Sequence, residues 1–192
     1  MAKSLFPKLD DQITRQGTIK SVRWYKDNLS SLFGKVSSKD LMKNTDRLTT
    51  KIEPGRMYMF YYDPKLKEKL PFYDTFPLVL PFKGLPDGFI GLNFHYLPYM
   101  ARTALLNALL EFSTNSKMNE STRIAASWTV LQNASTSKYV QPAVKRYLYN
   151  HVKSRFLSVH ADEWATAIML PVETFEKASK QQVWNDSKKK MG

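Results

Sequence analysis

The chain has 192 residues, 43% of them apolar and 13% aromatic, amounts that exclude a disordered chain and suffice for a buried core. It has no cysteine, which excludes a disulfide framework and cysteine-ligated zinc. Its formal net charge of +12 suits contact with a polyanion such as nucleic acid, or with an acidic protein surface.

The charge is uneven. Residues 1–50 carry ten Lys/Arg against five Asp/Glu, residues 51–112 seven against six, and residues 113–192 twelve against six. Basic flanks therefore surround a nearly neutral middle. Residues 1–17, MAKSLFPKLDDQITRQG, hold acids and no continuous apolar region, so a secretory signal is not expected. No apolar run reaches the ~20 residues that cross a bilayer, and no membrane partner is expected. A cytosolic or intravirion life is the resulting expectation.

In chain order, an irregular arm with Pro7 and Gly17 precedes a helix predicted over 19–33, capped by Thr18 and stopped by Gly34. Val22, Tyr25, Leu29 and Leu32 share its apolar face, while Lys20, Arg23 and Lys26 make a basic face with Trp24 beside it. A short helix is predicted from Ser38 through Lys43, and residues 44–54 read as a linker. Residues 1–50 thus form an N-terminal arm and helix. Residues 51–192 form a single globular domain: a β-core with inserted helices and a basic C-terminal tail.

The middle is β in character. Met57–Asp63 (MYMFYYD) is a strand led in by Pro54-Gly55 and ended by Asp63-Pro64. Pro77–Lys83 is a second strand, with Pro81 expected at a sheet edge or kink. Phe89–Leu97 is a third, opened by Asp87-Gly88. The intervening KLKEKLPFYDTF reads as an excursion covering the sheet with Leu70, Phe72, Tyr73 and Phe76. Alternation puts Tyr58, Phe60 and Tyr62 on one face of the first strand and Met57, Met59 and Tyr61 on the other. Both faces are apolar, so Met57, Met59 and Tyr61, with Trp24, are candidates for a protein interface unless helices cover them.

Pro98 opens a helix predicted over 99–112, and a second helix is predicted over 121–131. A third is predicted from Pro142 to about Arg155, with Lys145, Arg146 and Lys153 able to share one basic side and Arg155 at its end. Glu163–Val172 (EWATAIMLPV) fits a strand better than a helix because of Pro171, with a helix following to Ser179. The end, with Lys188, Lys189 and Lys190, reads as a basic tail.

No glycine-rich phosphate loop, nucleophile elbow or HExxH motif is present. Asp63, Asp74, Asp87 and His95 fall in or beside the β-core and are the best available set for a Mg²⁺-dependent nuclease. Asp63-Pro64 and Asp87-Gly88 are also ordinary turn chemistry. His160-Ala-Asp-Glu163 lacks companions for acid–base or metal chemistry. No catalytic residue, metal site or cofactor is therefore assigned. The candidate nucleic-acid contacts are Lys20, Arg23, Lys26, Lys145, Arg146, Lys153, Arg155, Lys188, Lys189 and Lys190, which would hold phosphates without reading sequence.

The runs PGRMYMFYYDPKLKEKLPFYDTFPLVLPF and GFIGLNFHYLP, with EWATAIMLPVETFEKASKQQVWNDS, resemble small basic virion-associated proteins of T-even-type tailed phages, some described as DNA end protectors. The likeness covers about residues 18–26 and 54–187. It implies a virion component near the packaged DNA end, neck or tail. Its implied partners are double-stranded DNA ends and viral structural proteins within a multi-subunit assembly. The β-core layout is also similar to an SH3-type small barrel, a likeness of fold that does not fix function.

The expectation is an α+β protein: a small SH3-like barrel or sheet core with N- and C-terminal helices. Its expected role is non-enzymatic: a virion component that binds DNA, in end protection or near the neck or portal, and neighbouring structural subunits. The rivals are a purely structural tail, baseplate or neck subunit, and a metal-dependent nuclease using Asp63, Asp74 and His95.

Overall fold

A computed structural model describes residues 36–53, 55–113 and 138–192. The helices predicted over 19–33 and 121–131, with Lys20, Arg23, Trp24 and Lys26, lie outside the described residues.

Helix α1 (Ser38–Met42) begins where the Ser37 hydroxyl accepts a hydrogen bond from the Asp40 amide. The stretch read as a linker is partly regular, holding a 3₁₀ turn at Thr45–Arg47 and strand β1 (Leu48–Thr49). The other strands are β2 (Met57–Met59), β3 (Tyr73–Asp74), β4 (Leu78–Leu85), β5 (Gly88–Asn93), β6 (Val144–Leu148), β7 (Phe156–Val159) and β8 (Phe175–Glu176). The other α-helices among the described residues are α2 (Tyr99–Ser113), α3 (Trp164–Ala167) and α4 (Lys180–Met191).

Six strands form an antiparallel sheet in the order β1-β7-β2-β4-β5-β6, and β3 pairs with β8 in a separate ribbon. β1 and β6 end the sheet without meeting, so it is open rather than a closed SH3-like barrel. The α+β class stands. Pro86-Asp87 makes the two-residue turn between β4 and β5. Gly88 and Gly91 allow close packing on either side of β5. A Cβ at Gly88 would lie 1.9 Å from the Tyr147 carbonyl oxygen, and one at Gly91 would lie 2.4 Å from Val79 Cγ1.

Pro81 lies inside the sheet, not at its edge, at the register shift between Pro81 and Lys83. β2 pairs with β4 only at Leu78 and Val79, so the missing proline N–H falls where that ladder has ended.

Both faces of β2 are covered. Met57 and Met59 are fully buried in one cluster with Leu105, Leu106 and Leu109 of α2 and Trp164 and Ala167 of α3. They fill the core, contrary to the interface expectation. Tyr61 is half-buried, its ring 4.9 Å from that of Phe76 and its hydroxyl bonded to Ser38 Oγ. On the other face Tyr58, Phe60 and Tyr62 join Val79, Phe89, Tyr147 and Phe156 in an aromatic core with mostly edge-to-face ring contacts.

The helix predicted from Pro142 is a 3₁₀ turn at Gln141–Ala143 followed by β6. Val144, Tyr147 and Leu148 have helical spacing, yet Val and Tyr favour strands and the free edge of β5 offers five paired positions. The predicted strand over 163–172 is instead a 3₁₀ turn (Ala161–Glu163) running into α3. Burial on every side erases its periodicity, and Pro171 follows a helix rather than a strand. The helix predicted to end at Ser179 starts there instead. Ser179 and Gln182 form a reciprocal capping box, and the expected tail is the last turn of α4.

Candidate nucleic-acid interface

α4 is docked by its inner face. Val183 and Trp184 are buried with Tyr96, Trp184 Nε1 donates to the His95 carbonyl at 2.9 Å, and Ser187 Oγ donates to the Tyr96 carbonyl at 2.7 Å. This docking brings the end of α4 beside the start of β6. Lys145 Nζ lies 4.0 Å from the centre of the Tyr96 ring. The Lys145 pKa is lowered from 10.5 to about 8, first by burial and then by nearby Lys190, with Asp186 opposing the shift. Lys190 pairs with Asp186 at 2.7 Å, while Lys188 and Lys189 are exposed on the outer side of the same turn. Lys138 joins them, since a Cβ on Gly192 would come within 3.1 Å of its Nζ.

The residues predicted on one basic helix are thus divided. Neighbours on a strand point to opposite faces, so Lys145 and Arg146 part company. Arg146 pairs with Asp87 at the β4–β5 turn at 2.8 Å. Lys153 and Arg155 are exposed in the segment between a 3₁₀ turn (Tyr149–His151) and β7. Sequence reading misses Lys138, which lies just beyond a polar stretch, and Lys51. The Ser179-x-x-Gln182 pattern is the available signal that Lys188–Lys190 belong to a helix.

The candidate carboxylates do not assemble a reactive site. Asp74 and His95 do meet, with Nδ1 2.8 Å from Asp74 Oδ2, but they are 3% and 0% exposed. Asp74 also accepts from Asn93 Nδ2 and from the amides of Phe76 and Thr174, which makes it the hub joining β3 to β5 and the β8 approach. Asp63 is elsewhere, paired with Lys67 at 3.0 Å. Among the described residues no group of three or more His, Asp or Glu side chains could hold a metal ion. Beside this hub, fully buried Arg102 donates to the carbonyls of Leu97, Ile168 and His95 and faces Glu173 at 3.5 Å.

Residues 3–189 match the family described as Phage T4 terminal DNA protecting protein. The chain belongs to that family. No curated protein and no solved structure matches it. The match spans the sheet, α4 and the basic residues gathered at its end, and it places the protein in a bacteriophage family defined by protection of DNA rather than by a reaction. No helix among the described residues is long and apolar enough to cross a membrane.

Proposed function

We propose that this DNA-protecting family member works by occupancy, binding a duplex end through phosphate contacts and making or breaking no bond. The observation that carries the reading is the convergence of Lys145, Lys190 and Lys138 with the last turn of α4, on elements far apart in sequence. A half-buried ammonium held close to a second cation concentrates positive potential where a phosphate would relieve it. Lys188 and Lys189 extend the patch, and Lys153, Arg155 and Arg146 supply contacts elsewhere on the molecule. Lys20, Arg23 and Lys26 belong to the same reading through their composition. The protein would reside in the virion near the packaged DNA end, at the neck or portal, against neighbouring structural subunits.

The test is binding of the purified chain to linear, nicked and closed circular DNA over a salt series. A preference for linear DNA is expected, with log affinity falling linearly in log salt and by about 0.9 per phosphate contacted. Exonuclease digestion of the linear form should slow at the same protein concentrations that saturate binding. Absence of binding at low salt removes the reading and leaves a structural tail, baseplate or neck subunit without DNA contact.

A further inference from the structure

The aromatic core reaches the surface at Tyr149. Tyr149 follows β6, is 41% exposed, and lies with its ring 5.8 Å from Phe89 of that core. With Thr50, Val152, Ser154 and Phe156 it lines an open groove of about 400 Å³. That volume falls within the ~300–1,000 Å³ typical of small-molecule sites. Lys51, Lys153 and Arg155 each adjoin a lining residue in the chain, are exposed, and form no ion pair among the described residues. The neighbouring acids are already held: Glu53 by Arg56 at 2.5 Å, Asp63 by Lys67 at 3.0 Å, and Asp87 by Arg146 at 2.8 Å. An apolar, aromatic-walled groove with exposed cations one residue along the chain from its lining is complementary to a flat ring carried on a phosphate backbone.

We infer that this groove takes the terminal nucleobase of a DNA end, stacked on Tyr149, with Lys51, Lys153 and Arg155 on the adjoining phosphates. The inference rests on the end-binding reading above and gives it a source of selectivity. A base within a duplex is stacked on both sides and paired, and extruding it is costly. A terminal base is stacked on one side only and frays cheaply. Lysine contacts to phosphate are the same along the whole duplex, so they cannot distinguish an end from its interior. A stacking groove can. Tyr149 is four residues beyond Lys145, about 13 Å along an extended chain. That is close to the rise of four base pairs, so one end can fill the groove while phosphates further in reach the α4 patch.

The experiment compares the full chain with Tyr149→Ala and Tyr149→Trp on linear blunt DNA and on the same DNA as a relaxed closed circle. A blunt duplex carrying 5-iododeoxyuridine at a terminal or an internal position is photocrosslinked in parallel, and the product is mapped by mass spectrometry. Tyr149→Ala is expected to lower the linear-over-circular preference about tenfold while affinity for the circle is kept, and Tyr149→Trp to retain the preference. The terminal probe should crosslink to Tyr149 and the internal probe should not. Unchanged preference in Tyr149→Ala, equal weakening on both DNAs, or a terminal crosslink elsewhere overturns the inference. So does loss of self-association in Tyr149→Ala with its end preference intact, which would make the groove a contact between copies. A wild-type chain with no preference for linear DNA instead removes the end-binding reading itself.

Discussion

Lys145 occupies a position that costs the folded protein stability. Its pKa is about 8 in the folded protein against an ordinary value of 10.5 in the unfolded chain, because burial, then Lys190, disfavour its charge and Asp186 only partly compensates. Between those values the unfolded chain binds a proton the folded chain lacks, so the contribution of Lys145 to stability rises with pH across that window. Below pH 8 its penalty is complete. Lys145→Met should therefore raise the melting temperature at pH 7 and flatten the rise towards pH 10, measured by thermal unfolding of both proteins across pH. The same variant should bind DNA more weakly, with a salt slope reduced by about one. Asp74 makes the opposite case. Asp74→Ala leaves the buried His95 Nδ1 without its partner and the Asn93 amide with only the Tyr147 hydroxyl, and should lower stability by about 3 kcal/mol, read as a lower urea midpoint at unchanged slope. Were Asp74 catalytic, the variant would instead be stable and inert.

Among the elements, α4 separates docking from charge. Trp184 and Ser187 attach it, while Lys188, Lys189 and Lys190 face outward or towards Lys145. Replacing all three lysines by Gln should leave the melting temperature within a few degrees and reduce the salt slope by about three, as measured by anisotropy with labelled duplex. Much of this architecture is legible in the sequence. The strands at Met57, Leu78 and Gly88 announce themselves through turn residues and β-formers, and α2 through Pro98 and its apolar spacing. β6 and α3 mislead for opposite reasons. β6 takes its form from an open neighbouring strand, information no local window contains. α3 is buried all round, so its residues carry no polar face to betray a period. Of the candidate site, the identity of the lysines is legible but their grouping is not. A helical spacing pairs Lys145 with Arg146 and a strand undoes it, and Lys145 meets Lys190 only because α4 folds back onto Tyr96. The groove at Tyr149 is invisible in the sequence, since its lining comes from residue 50 and from residues 149–156.

For the molecule as a whole, the near-neutral middle supplies most of the sheet and the basic flanks supply most of the net charge. The aromatic module that makes the sequence distinctive is almost wholly interior, so its chemistry works by holding β5, β6 and β7 in place. Charge then accumulates where late elements cross early ones. The sheet itself is assembled out of order: β7 enters between β1 and β2, and the bidentate Arg47–Glu163 pair closes a span of 116 residues. Contacts of such separation are slow to form and form together. On the ribosome, β2 has no partner on one side until residues 156–159 have emerged, and the lysine patch has no geometry until α4 docks. A chain still being synthesised carries the positive charge but not the surface that organises it. With the proposed lysine patch as the DNA contact, the surface that holds DNA is complete only when synthesis is nearly done.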